Sequence, residues 1–198
     1  MLHPSAFSER RRARARGFTL TELMIAIAII GIMTALASVS FVRQVNMAKA
    51  NEATGMIRAI AAAEERYRGE TMQYLGPSSD LNDLYPMTSP RGVKYNWVQP
   101  THPDWDPPAG GWKLLNVSAP GPVQFGYAVV AGAPGTALPT PSDTGTTFPW
   151  PAATSIKEPW YVIQATRDHS ESFDTTRRKA RFVASSFRTE IYSEGEDE

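Results

Sequence analysis

From Phe18 to Val42 the chain runs for 25 residues with a single charge, Glu22. The charge-free part, Leu23 to Val42, has 20 residues. As a helix it would be about 30 Å long, roughly the hydrocarbon thickness of a bilayer. Its apolar side chains fall on every side of the helical wheel, the pattern of a membrane span or a fully buried helix rather than of a surface helix. Five arginines precede it, Arg10, Arg11, Arg12, Arg14 and Arg16, against one acid, Glu9. By the positive-inside rule this arrangement places the N-terminus in the cytoplasm and Arg43 onward on the far side. A secretory signal has a shorter apolar core and ends at a small-residue cleavage site. Ala35, Ala37 and Ser38 resemble such a site, but the apolar run is long and passes into a further helical pattern. The segment is therefore expected to be retained.

The formal net charge of the 198 residues is zero, so the basic N-terminus is balanced by an acidic remainder. That asymmetry favours membrane targeting over nucleic-acid binding. The chain has no cysteine, which excludes disulfides, thiolate metal sites and a cysteine nucleophile. An extracytoplasmic domain built from it must be held by its core alone.

The stretch "GFTLTELMIAIAIIGI", Gly17 to Ile32, resembles the signature of type IV pilins and of the pseudopilins of type II secretion. A short basic leader ends in Gly17, Phe18 follows, Glu22 stands four residues further on, and the apolar helix continues past Gly31. The resemblance implies that a prepilin peptidase and N-methyltransferase cuts between Gly17 and Phe18 and methylates the new amino group of Phe18. It also implies that the helix first anchors the subunit in the inner membrane and then forms the filament core. Two departures stand out: Thr21 precedes the glutamate where many pilins carry an aliphatic residue, and no proline occurs near Val39 or Ser40. Without proline the helix keeps all its hydrogen bonds. Gly31 alone weakens it, by about 1 kcal/mol relative to alanine.

Two readings of Glu22 stand side by side. Thr19-Leu20-Thr21-Glu22 fits the S/T-x-x-E capping box, in which the glutamate reaches back to a free backbone N–H at a helix start. The pilin resemblance implies a second role, neutralising the α-amino group of Phe18 on a neighbouring subunit. A charge in a water-poor bundle is costly unless paired, so such a pair would select the stagger between subunits. The small residues Gly31 and Ala35 admit close helix approach, and ordinary membrane-helix composition accounts for them equally well.

Beyond Val42 the periodicity changes. Ala53, Met56, Ile60, Ala63 and Tyr67 follow steps of three and four, with Ile57 and Ala48 beside them, which predicts one apolar stripe on a helix. Glu64 and Arg68 are read as an exposed i,i+4 pair, and Gly69 as the residue that ends the helix. One helix from Thr19 to Arg68 would be about 75 Å long.

After Glu70 the composition shifts. Eleven of the sixteen prolines lie between Pro100 and Pro151, so a long helix there is excluded. A helical turn is expected at Asp80–Leu84 and a short strand at 92–98. Residues 123–132, 159–166 and 180–193 are expected as three further strands, with Val183, Phe187 and Ile191 on one face of the last. Strands joined by loops suggest an antiparallel sheet, and the stripe on the helix supplies its cover. The expected fold is therefore α+β, a long N-terminal helix packed on a C-terminal antiparallel sheet, which is also what the pilin resemblance implies. The expected organisation is a leader at 1–17, a membrane or filament-core helix at 18–42, its amphipathic continuation at 43–69, and a sheet domain at 70–198.

No zinc-protease, P-loop, nucleophile-elbow or dinucleotide motif occurs, so no enzymatic activity and no cofactor is expected. Asp168, Glu171 and Asp174 are read as a solvated loop rather than a calcium site, since no glycine provides the turn such a loop needs. Arg177, Arg178, Lys179 and Arg181 read as edge charges that discourage aggregation, or as a weak DNA contact. Trp105, Trp112 and Trp150 are either local core anchors or an adhesive surface. The acidic end, Glu194 to Glu198, reads as a solvated tail.

The expected function is a structural subunit of a type IV pilus, major or minor, acting in motility, adhesion or surface attachment. A type II secretion pseudopilin and a single-pass membrane-anchored binding protein are the alternatives. The expected partners are the prepilin peptidase, other pilin subunits, the inner membrane and the pilus assembly machinery. The expected location is the inner membrane before assembly and a surface pilus or periplasmic filament after it.

Overall fold

The computed structural model describes residues 17–88, 90–140, 150–167 and 180–194. The chain divides into two compact units after Gln44. One helix, α1 (Leu20–Thr71), belongs to both, with 52 residues.

In the first unit α1 exposes its large apolar side chains, among them Ile25, Ile29, Ile32, Leu36 and Phe41. Two of its hydroxyls turn inward to the helix's own backbone. Thr34 Oγ donates to the Ile30 carbonyl at 2.8 Å and Ser38 Oγ to that of Ala35 at 2.9 Å. Such internal satisfaction is what a helix needs where water is absent. The helix is long and apolar enough to cross a membrane.

In the second unit α1 behaves as its stripe predicts. Ala53, Met56, Ile57, Ile60 and Ala63 are buried and pack in one cluster with Phe125, Tyr127, Val129, Tyr161, Ile163 and Phe182 of the sheet. Ala48, expected beside the stripe, is exposed. The helix does not stop at Gly69. It runs to Thr71, and Met72 turns the chain with a φ of 63°. Thr71 helps by donating its hydroxyl to the Tyr67 carbonyl at 2.9 Å.

The sheet has four antiparallel strands in the order β1 (Gly126–Gly132), β2 (Trp160–Arg167), β3 (Ala180–Ser185) and β4 (Arg188–Glu194). The expected α+β architecture is thus present. The expected strand at 180–193 is instead two strands joined at Ser186 and Phe187, with Ser185 opposite Arg188. This turn lacks the Asn-Gly or Asp-Gly signal of a tight hairpin. Its support is tertiary: Ser186 N–H donates to the Tyr161 carbonyl at 3.1 Å and its Oγ accepts from Tyr161 N–H at 3.1 Å. Val183 is buried, while Phe187 sits in the turn rather than on the strand face.

β2 is buried on both faces. Tyr161, Ile163 and Ala165 meet the helix-side cluster. Trp160 and Val162 join Leu81, Ile156 and Val183 in a second cluster. On the face of this second cluster Gln164 donates its amide to the Leu81 carbonyl at 2.9 Å. A strand covered on both sides reads as a near-continuous apolar run, which is why it is visible in the sequence.

The long segment between α1 and β1 forms little regular structure. Tyr95 makes one isolated bridge, to Val123, where a strand at 92–98 was expected. Asp80 Oδ1 accepts from the N–H groups of Asn82 and Asp83, so the expected helical turn is a side-chain-capped turn instead. A one-turn helix, α2 (Trp112–Leu115), buries Trp112 and Leu115 and ends at Asn116 with a φ of 52°.

The strongest departure from expectation is Glu64. It lies four residues after Ile60 and seven after Ile57, so the helical period carries it onto the buried stripe. It is fully buried, and it does not pair with Arg68. Its Oε2 accepts from Leu75 N–H at 2.8 Å and its Oε1 from Gly76 N–H at 3.0 Å. Arg68 instead donates to Glu158 and to the Tyr74 hydroxyl, both at 2.9 Å. Burial pushes the Glu64 carboxyl upward from its usual range, and the two N–H donors pull against that shift. Gly76 is required here: its φ is +56°, and a Cβ would stand 2.5 Å from Ala131 N.

Replacing Glu64 by Gln puts an amide donor against one of two backbone donors. Leaving a buried donor unmade costs about 1–3 kcal/mol. Denaturant unfolding of detergent-solubilised Glu64→Gln should show a loss of stability of that order, while an unchanged midpoint would contradict the clamp.

Candidate functional site

The start of α1 is built from four consecutive residues. Phe18 precedes the helix with its ring 85% exposed. Thr19 is the capping residue. Its Oγ accepts from Glu22 N–H at 3.2 Å and donates to Glu22 Oε2 at 2.8 Å, and its own N–H donates to Glu22 Oε2 at 3.0 Å. These bonds close the reciprocal capping box, so the first reading of Glu22 is realised within one chain. Only Oε2 is engaged in these contacts; Oε1 makes none of them.

Gly31 lies within α1 with no break around it, and a Cβ added there would meet nothing within 4 Å. The same is true at Gly17. The single chain therefore places no packing demand on either glycine. Gly17, Phe18, Glu22 and Gly31 all lie in the segment whose apolar side chains are exposed.

A second polar cluster, in the sheet-bearing unit, was not foreseen. His102 belongs to no metal-binding or catalytic motif in the sequence. In the fold its ring packs edge-on against Tyr85 at 5.1 Å, within an aromatic group that includes Trp97, Trp105 and Trp112. Trp112 is fully buried and Trp105 half-buried, so both are local anchors rather than an adhesive surface. His102 Nδ1 accepts from Asp104 N–H at 3.3 Å and lies 3.7 Å from Asp104 Oδ2. Asp83, whose Oδ2 takes both the N–H and the hydroxyl of Ser79 at 2.9 Å, acts on the same pair. Burial and the neighbouring Asp83 push the Asp104 carboxyl up to about 6. Burial also lowers the His102 imidazole below its ordinary value. No sequence motif links residues 83, 102 and 104, and only the fold of the loops brings them together.

Among the described residues no group of three or more His, Asp or Glu is arranged to hold a metal ion. The loop containing Asp168, Glu171 and Asp174, the cations Arg177, Arg178 and Lys179, and the tail beyond Glu194 lie outside the described residues. Arg181 is described, and it departs from the edge-charge reading. It is buried on β3, with its Nη1 3.9 Å from Glu194 Oε2 on β4.

Comparison with known proteins agrees with the geometry of the N-terminal segment. Residues 12–38 match the family described as the prokaryotic N-terminal methylation motif. The chain is 35% identical over 88 residues to the type IV major pilin protein PilA of Myxococcus xanthus, covering 44% of this chain and 38% of that protein. It is 32% identical over 87 residues to the type II secretion system core protein G of Pseudomonas aeruginosa, covering 44% of this chain and 61% of that protein. The similarity thus spans less than two thirds of either relative. No solved structure matches the chain. This motif and these two homologues support a prepilin-like protein.

The Asp104 pair makes stability depend on pH in a defined direction. A carboxyl raised in the folded state binds its proton more tightly there than in the unfolded chain. Its contribution is therefore present at low pH and is lost as pH rises from the unfolded value to about 6. His102, held neutral, acts oppositely and favours the fold more as pH rises toward its ordinary value. Asp104→Asn keeps a donor for Asp83 and does not titrate. Its melting temperature relative to the unmodified chain should climb between about pH 4 and about pH 6 and then level off. Parallel melting curves at all pH values would contradict the raised Asp104 carboxyl.

Proposed function

We propose that this chain is a subunit of a filament of the type IV pilin class, assembled through α1. The observation that carries this reading is the combination at the start of α1. An exposed Phe18 follows Gly17, a capping box holds Glu22 at the first turn, and an uncovered apolar helix follows it. Such a surface is unstable in water and needs a membrane or copies of itself around it. The motif match over residues 12–38 and the similarity to a major pilin support the same reading.

In this proposal residues 1–17 form a leader, removed by a prepilin peptidase that cuts between Gly17 and Phe18 and methylates Phe18. Residues 18–42 anchor the subunit in the inner membrane, N-terminus in the cytoplasm, until the assembly machinery draws it into a filament. The cut creates an α-amino group on Phe18. Glu22 then has two tasks: within its own chain it caps α1, and across the filament it neutralises the Phe18 amine of a neighbour. The capping bonds engage one carboxylate oxygen and leave the other for that contact. Gly31 lets a neighbouring helix approach closely. The sheet-bearing unit would be displayed on the filament surface.

The comparable similarity to a type II secretion core protein favours a second reading, a pseudopilin in a short periplasmic filament. Mass spectrometry of sheared surface filaments separates the two. Abundant peptides of this chain there support the pilus subunit, and their absence with retained membrane-associated protein supports the pseudopilin.

Gly17→Arg should block processing, seen as a band that keeps the mass of the leader. A normally processed Gly17→Arg chain would argue against cleavage at this site. The two tasks of Glu22 are separated by comparing two variants. Thr19→Ala removes the cap, costs about 1 kcal/mol of helix stability and leaves the carboxylate. Glu22→Ala removes both. Processed Thr19→Ala should enter filaments, and processed Glu22→Ala should remain in the membrane. Equal incorporation of the two would reduce Glu22 to a helix cap.

A further inference from the structure

Two cations converge where α1 meets the sheet. Lys49 comes from α1, and Arg167 ends β2 opposite Ala180 of β3. Together with Asn46, Ala50, Phe125, Ala180 and Phe182 they line a cavity of about 20 Å³. The wall between the two charges is apolar, formed by the buried Phe125, Ala180 and Phe182.

The Lys49 ammonium donates to Asn46 Oδ1 at 3.3 Å, a neutral acceptor at long range. Arg167 Nε is buried and makes no hydrogen bond among the described residues. The carboxylate that acts on Arg167 is Glu52, whose Oε1 also accepts from Gln124 N–H at 2.6 Å. Burial and the charge of Arg167 push the Lys49 ammonium below its ordinary value, and burial also lowers Arg167. Two like charges lining one cavity repel each other, and an anion between them offsets that repulsion.

The size of the cavity selects the anion. About 10–15 Å³ of such space holds one water, so the notch encloses one oxygen-sized atom or a halide and does not enclose a whole tetrahedral oxyanion. We propose that the notch between Lys49 and Arg167 is a binding site for a small monovalent anion, seating either a halide or one oxygen of a carboxylate. The carboxylate has two sources, a free carboxylate in solution or an acidic side chain of a neighbouring copy. Beside the apolar wall, the polar groups lining the notch are the ammonium, the guanidinium and the Asn46 amide.

Chloride NMR line width tests this with the full chain in detergent. The unmodified chain should broaden the chloride resonance, and Lys49→Gln should remove that excess. Sodium acetate should displace it, whereas sodium sulfate at equal ionic strength should leave it in place. Melting temperature gives a second readout that does not depend on Arg167 variants folding. As chloride replaces sulfate at constant ionic strength, the unmodified chain should gain stability relative to Lys49→Gln along a saturating curve. Equal broadening by both chains, or parallel melting responses, would overturn the proposal. Sheared filaments distinguish the sources. Lost broadening there, with acetate absent, identifies a neighbour's carboxylate, and retained broadening identifies a dissolved ion. That last arm rests on the filament reading, while the measurements on the dispersed chain do not.

Discussion

The sheet-bearing unit depends on one contact, the packing of the α1 stripe on the helix-facing side of β1 to β3. Ala53, Met56, Ile57, Ile60 and Ala63 are buried there, and the small alanines let larger groups such as Phe125, Tyr127, Tyr161 and Phe182 fill the space. Transfer of that apolar surface from water is the main favourable term for a fold without disulfides. The remaining features follow from it. Because the stripe repeats at the helical period, it brings Glu64 into the core. Because Glu64 cannot stay there uncompensated, the chain after the helix must present the N–H groups of Leu75 and Gly76 to it. That fixes the path by which the chain leaves α1, and Gly76 permits the tight passage beside Ala131.

The same helix carries two different surface patterns along its length. Up to Val42 the side chains are apolar on all faces; from Val45 onward they separate into a buried stripe and a polar remainder. In the first part Thr34 and Ser38 bond the helix's own carbonyls. In the second part the polar groups reach across to the sheet unit: Glu52 to Gln124, Arg66 to the Leu115 carbonyl and Arg68 to Glu158. In the proposed filament the first part would supply cohesion and the second would carry the displayed unit. The capping box at Thr19 and Glu22 links the two ideas, since a carboxylate that is worth only a modest amount as a cap becomes costly to leave unpaired once water is excluded.

Much of this was legible in the residues. The apolar run, the capping box, the stripe, and the strands β1 and β2 all follow from neighbours within a few positions, and each is found in the fold. What escaped has a common cause. The Ser186–Phe187 turn carries no turn signature and is held by Tyr161, 25 residues away. α2 is too short to leave a period in the sequence and is held by the burial of Trp112 and Leu115. Glu64 was assigned to Arg68 because charge pairs at that spacing are common, and the fold gave each of them another partner.

The sequence by itself determined where the chain is apolar throughout, where it is apolar on one side, how α1 begins, and that an antiparallel sheet must cover the stripe. Those properties depend on composition and on spacings of two, three and four residues, which the linear order displays. Only the tertiary structure decided which charges lose their water. Asp83, His102 and Asp104 form one cluster, and Lys49 and Arg167 face one cavity, because loops and strands distant in sequence close around them. Desolvation and charge proximity are properties of three-dimensional distance, so these sites have no local signature to read.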